Sequence, residues 1–182
     1  MQCLRQSTGG QHKEAERRVK LGNVVDGESL RHLLERLWGF YRPVECSLSS
    51  LRWHLAQIDF LSRRKTSWLE EDLVCLSSNI HQLPQSPPFP IPHSLEEGIG
   101  CLYVLEGATL GGKFILTQLA TKGLRGPTGC RCRFYSGYGD KTGEMWTEFK
   151  VAAASYCREE SQIDQAILGA TRTFDRFLLS LA

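Results

Sequence analysis

The chain has 182 residues, 41% of them hydrophobic, and a formal net charge of +2. That length supports one domain with a core of its own, and the near-neutral balance excludes both a disordered chain and a polyanion binder such as a nucleic-acid protein. No apolar run reads as long enough for a membrane span, and the start, where Arg5, Lys13, Arg17 and Arg18 are interleaved with acids, lacks a signal-peptide core.

Helical periodicity runs almost throughout, with next to no strand signal, so an all-α single domain over 1–182 is expected. The first helix is predicted over 2–19 and carries His12, with Glu16 one turn later. A lone histidine near a helix start is ordinarily a surface or capping residue. Here Gly9 lies three residues before it on the same face, leaving room beside the imidazole, and Glu16 at i+4 can reach the second ring nitrogen. Arg5 sits two turns before His12 on that face. A second helix is predicted over 28–41, capped by Asp26 or Ser29, with Leu30, Leu33, Leu34 and Leu37 inward. Phe40-Tyr41-Arg42-Pro43 should end it, placing Pro43 in the first turn of a helix over 44–62. After a helix over 67–82, residues 83–92 hold five of the seven prolines and should run extended across the surface.

The helix predicted over 94–121 is the most informative element. Ser94 with Glu97 three residues on reads as a capping box, and Leu102, Leu105, Leu110 and Phe114 recur at helical spacing. Yet Gly107, Gly111 and Gly112 fall inside it, and each costs about 1 kcal/mol relative to alanine. Gly107 and Gly111 are one turn apart and share a face of bare backbone, so the helix should bend there with something flat or bulky close by. Close helix packing through small residues explains the spacing equally well. Glu106, about 100° round the helix from Gly107, is expected to be solvated or capping.

Residues 122–141 are glycine-rich and irregular. Helices follow over 140–157 and 160–181, the last with Ile163, Ala166, Ile167, Ala170, Phe174 and Phe177 on one face. Seven cysteines, odd in number and scattered, suggest reduced thiols in a cytoplasm. Cys130 and Cys132 lack zinc-pair spacing and read as two free loop cysteines.

Two segments together resemble the haem oxygenase family. One is L-R-x-x-T-x-x-x-H-x-x-x-E from Leu4 to Glu16; the other is Y-V-L-E-G-A-T-L-G-G from Tyr103 to Gly112. The resemblance is closest to the bacterial enzymes that supply biliverdin to phytochromes, and it extends over nearly the whole length, including residues 39–45 and 134–139. It implies a single-domain helical fold with haem between the first, proximal helix and the kinked distal helix over 94–121. His12 would be the iron ligand and Glu16 would orient its ring. Gly107, Ala108, Gly111 and Gly112 would form the distal wall, where bare main chain steers bound oxygen toward the porphyrin edge. Arg5, Lys150, Tyr138 and Phe174 would touch the haem, the two cations through its propionates.

The activity so implied is oxidative cleavage of haem, cofactor and substrate at once, to biliverdin, carbon monoxide and ferrous iron. Animal-type members carry an aspartate where Ala108 stands. Its absence leaves Thr109, the main-chain carbonyls near Gly107 and ordered water to organise the distal side. A haem-binding module of the same fold that does not cleave its ligand therefore stays open. With no G-x-G-x-x-G and no βαβ pattern, no bound flavin or nucleotide is expected. Electrons would come from a ferredoxin or a flavoprotein reductase, and a phytochrome is a candidate acceptor of the product.

Overall fold

The computed structural model describes residues 2–19, 21–124 and 132–181, and their regular structure is entirely helical. The chain opens with α1 (Gln2–Ser7) and α2 (Gly9–Arg18), where one continuous helix was expected. The break falls at Thr8, whose hydroxyl donates to the Leu4 carbonyl at 2.7 Å just before the two glycines.

α3 (Gly27–Leu48) begins in a reciprocal box between Asp26 and Ser29, as the sequence suggests. Its far end corrects the expected break: the helix continues through Pro43. An interior proline costs about 3 kcal/mol. The buried stripe of Leu30, Leu34, Leu37, Tyr41, Val44 and Leu48 spans the proline on both sides, and each such side chain contributes about 1.5–3 kcal/mol. The helix predicted over 44–62 instead stops at Leu48 and gives way to two 3₁₀ turns, Trp53–Ala56 and Leu61–Arg63. α4 (Thr66–Cys75) is shorter than predicted. Residues 83–92 are non-helical, as their prolines require. They are pinned to the body by Arg42 to Gln85 (3.1 Å), Arg176 to the Pro87 carbonyl (2.7 Å) and buried Phe89.

The centre of the molecule is α5 (Leu95–Thr109) crossed by α9 (Glu160–Ser180), with α6 (Gly112–Thr121), α7 (Arg133–Ser136) and α8 (Thr142–Tyr156) around them. Ser94 caps α5 by accepting the Glu97 N–H at 3.1 Å. The Glu97 carboxylate does not close the box; it accepts from the His93 N–H (2.8 Å) and from Arg172 (2.5 Å). The crossing is tight because it is made of backbone. A Cβ on Gly100 would run into the Ala166 carbonyl, and one on Gly169 into the Glu97 carbonyl. The Gly169 carbonyl also accepts from Thr173 (2.8 Å) and Cys101 (3.5 Å). Gly169→Ala should therefore lower the melting temperature, by an amount equivalent to about 1–3 kcal/mol of overpacking, because no flexible side chain is there to yield.

Two expectations are revised. The stretch Leu95–Thr121, 27 residues with a mean hydropathy of 1.4 in its best window, does reach the length and apolarity of a membrane span. Burial against α9 accounts for the composition of α5, whereas α6 leaves Phe114 65% exposed. Cys75 is disulfide-bonded, so the expectation of uniformly reduced thiols fails there, whereas Cys3, Cys46, Cys101 and Cys157 are free. Cys132 does lie in a loop, at the start of α7, but is buried there, and Cys130 lies outside the described residues.

Candidate functional site

α1 and α2 pack on α9, and Leu4 meets Ile99 and Ala166 around a small cavity of about 20 Å³. The segment approaches α5 where the Thr8 side chain lies beside the Tyr103 phenol and opposes the rise of its pKa. His12 lies one helical turn beyond Thr8, with its N–H bonded to the Thr8 carbonyl (3.0 Å). Gly107 lies one turn beyond Tyr103. Each residue is therefore about 6 Å along its helix from the same joint.

The His12 imidazole has Nδ1 3.3 Å from Glu16 Oε1, and its side chain is 54% exposed. Phe174 of α9, itself buried, meets the ring edge-on at 6.0 Å between centroids. No partner for Nε2 is found among the described residues. A Cβ on Gly9 would meet nothing within 4 Å. One ring nitrogen is thus tied to a carboxylate while the other has no partner among the described residues, the arrangement in which a neutral imidazole offers its Nε2 lone pair to a metal.

Where a bend was expected the helix is interrupted, between α5 and α6. The Leu110 N–H turns back to the Gly107 carbonyl (3.2 Å), and the Thr109 hydroxyl takes the Glu106 carbonyl (2.6 Å). A Cβ on Gly107 would meet nothing, and Ala108 and Gly111 are exposed, as is 48% of Leu110. Gly112 is different. A Cβ there would enter the Tyr135 carbonyl, so its missing side chain serves close packing and it does not belong to the bare wall.

The basic residues meet through aromatics. Arg5 is exposed, and its charge acts on the Tyr103 phenol, whose pKa burial raises while Arg5 and Thr8 oppose the rise. The Tyr103 ring packs on Trp146 (5.7 Å), and Lys150 Nζ stands 5.9 Å from that indole. Arg5 and Lys150 thus lie at the two ends of one aromatic row. Tyr138 is not in this row: its hydroxyl donates to Glu106 at 2.6 Å, which engages the group expected to contact a ligand. Two cavities elsewhere, the small one under α1 and a surface groove of about 500 Å³ near Leu55, Val151 and Tyr156, include neither His12 nor residues 107–112.

A family model described as heme oxygenase matches residues 1–181. The chain belongs to the haem oxygenase family. Among solved structures, the NO- and CO-bound heme oxygenase from Neisseria meningitidis is similar, with a TM-score of 0.82 at 19% identity. That match covers 98% of this chain and 87% of the Neisseria chain, and it establishes the shared single-domain helical fold. No curated protein matches the chain significantly.

Within this haem oxygenase fold, the sequence reading missed a buried ionic cluster. Glu106, expected to be solvated or capping, is fully buried. Its carboxylate accepts from Arg63 Nη1 (2.5 Å), Lys65 Nζ (2.5 Å) and the Tyr138 hydroxyl. Arg63 also donates to the Met145 carbonyl (3.0 Å) and Lys65 to the Arg63 carbonyl (2.8 Å). Beside them, buried Glu45 accepts from the Lys65 N–H (2.6 Å) and the Thr66 hydroxyl (2.7 Å). Burial and the adjacent Glu106 carboxylate push the Tyr138 phenol far above its ordinary range, so it stays a donor. The 100° offset from Gly107 told only that Glu106 points elsewhere, and α5 is covered on that side too. A signal was available: Glu106 is the sole charge between Glu97 and Lys113, and a carboxylate inside so apolar a helix must find cations.

Proposed function

We propose that this chain is a haem-cleaving enzyme that yields biliverdin, carbon monoxide and ferrous iron, with His12 and the 107–111 main chain on opposite faces of the porphyrin. What carries the reading is the contrast among the glycines. Packing explains Gly100, Gly112 and Gly169, each pressed against a carbonyl, but leaves Gly107 unexplained, since it opens on empty space one turn from the joint that also positions His12. An oriented imidazole with a free Nε2 and a side-chain-free helical turn fit the two faces of a flat, iron-bearing ring.

When bound, haem is both cofactor and substrate: its iron activates dioxygen, and its own meso carbon is oxidised. The protein supplies position. Glu16 holds the Nδ1 proton and so fixes the tautomer that leaves Nε2 free for iron. Phe174 limits rotation of the His12 ring. Gly107, Ala108 and Gly111 let main chain approach closely enough to confine a small ligand on the distal side. The Thr109 proton is already committed to the Glu106 carbonyl, so distal hydrogen bonding falls to ordered water and main-chain groups. Arg5 and Lys150 pair with the propionates at the basic rim. Reducing equivalents come from a ferredoxin or flavoprotein reductase, with no bound flavin or nucleotide. A cytoplasmic setting and a phytochrome as product acceptor complete the proposal.

The test is to mix hemin with the purified protein, record the visible spectrum, and add ascorbate or reduced ferredoxin in air. The enzyme reading predicts a sharp Soret band that decays into the broad red absorption of biliverdin. A stable band without decay assigns the chain as a haem-binding module, and an unshifted Soret band refutes haem binding. Arg5→Glu and Lys150→Glu should each weaken hemin binding about fivefold, corresponding to about 1 kcal/mol for an exposed ion pair, and less at high salt. Hemin titrations at two ionic strengths measure this.

A further inference from the structure

The bare turn has almost no side chains with which to hold itself in place, yet it is fastened at both ends. At its entrance stands Glu106, gripped by Arg63, Lys65 and Tyr138. At its exit stands Gly112, pressed against the Tyr135 carbonyl. Midway, Thr109 rests against Gly137, where a Cβ would lie 3.8 Å from the threonine Cβ. Each of the three touches one short segment, Tyr135 to Tyr138, Glu106 through the Tyr138 hydroxyl in addition to Arg63 and Lys65. That segment is itself anchored, because buried Asp72 accepts the Arg133 N–H (2.7 Å) and the Phe134 N–H (2.8 Å).

Glu106 is also where the regular hydrogen bonding of α5 stops. Its carbonyl goes to the Thr109 hydroxyl, and the Leu110 N–H goes to Gly107. The residue whose carbonyl leaves the regular pattern is thus the one tied to two buried cations and a phenol, and the side-chain-poor last turn of α5 follows it. Buried ion pairs are a poor way to gain stability, since apolar replacements often match them, but they fix geometry through charge-assisted bonds of set direction.

We infer that Glu106 is a positioning residue: through Arg63, Lys65 and Tyr138 it sets where the 107–111 main chain stands. Its effect on a bound ring rests on the function proposed above, but its effect on the turn does not.

The test uses Glu106→Gln, which keeps the shape and removes the charge, and Tyr138→Phe, which removes one bond and keeps the ring. Amide hydrogen exchange of the ligand-free protein should show residues 107–111 exchanging at least tenfold faster in Glu106→Gln and about threefold faster in Tyr138→Phe, with α9 amides unchanged. With hemin, the histidine-ligated Soret band should persist in both variants, while the C–O stretch of the ferrous carbon monoxide complex shifts. Unaltered exchange at 107–111 in a folded variant overturns the inference, and so does acceleration spread equally through α9. Should Glu106→Gln fail to fold, Tyr138→Phe decides alone. If the wild-type protein ignores hemin while the variants still loosen 107–111, the haem reading falls and the positioning role stands.

Discussion

His12→Ala is expected to yield a folded protein that no longer gives a histidine-ligated haem spectrum and no longer turns hemin over. The side chain is half exposed, its ring touches Phe174 only edge-on, and its contact with Glu16 is an exposed one, so its loss should cost the fold little. Its loss to the ligand should be nearly total, because no other imidazole is placed by these helices to take over. Free imidazole added to the variant should restore part of the ligated spectrum, as it would occupy the space the side chain left. Glu16→Ala should act in the same direction but more weakly, about tenfold in affinity or rate, the usual effect of releasing a ligand's second nitrogen. Unchanged Soret position and turnover in His12→Ala would remove the proximal assignment.

Gly107→Leu is expected to do the reverse of what core substitutions do. In the ligand-free protein a Cβ there meets nothing within 4 Å, and leaving glycine inside a helix gains about 1 kcal/mol of propensity, so the melting temperature should hold or rise. Hemin turnover should fall at least a hundredfold, equivalent to about 2.7 kcal/mol, because the isobutyl group would occupy the distal space. Gly112→Leu offers the internal contrast: it should unfold the 135 region, since its Cβ would collide with the Tyr135 carbonyl. Function lost without stability marks a ligand surface; both lost together marks packing. Gly107→Leu retaining wild-type turnover would show that the bare face belongs to neither reading.

Much of the helical order could be read from periodicity, and the caps at Asp26 and Ser94 from local chemistry alone. What failed was non-local. Pro43 predicted a helix end, yet a buried stripe extending on both sides of it carries α3 through. The helix expected to follow stops at Leu48 for reasons the local pattern does not contain. At the candidate site, the i+4 relation of His12 and Glu16 and the helix interruption near Gly111 follow from helix geometry and glycine content, so both were legible. Gly112 was not separable from Gly107 by spacing; only the position of Tyr135, more than twenty residues on, tells them apart. The Glu106 cluster joins residues some forty positions apart and no periodicity reveals it. The bond from the Tyr138 hydroxyl to Glu106 escaped notice for the same reason, since the burial of that carboxylate leaves no mark on the local pattern.

The most direct measurement is a crystal structure of the protein with hemin bound. It should show iron bonded to His12 Nε2, Glu16 still beside Nδ1, the 107–111 main chain across the other face of the ring, and both propionates toward Arg5 and Lys150. Iron held by any other residue, or a porphyrin seated away from the turn that follows Glu106, would contradict it.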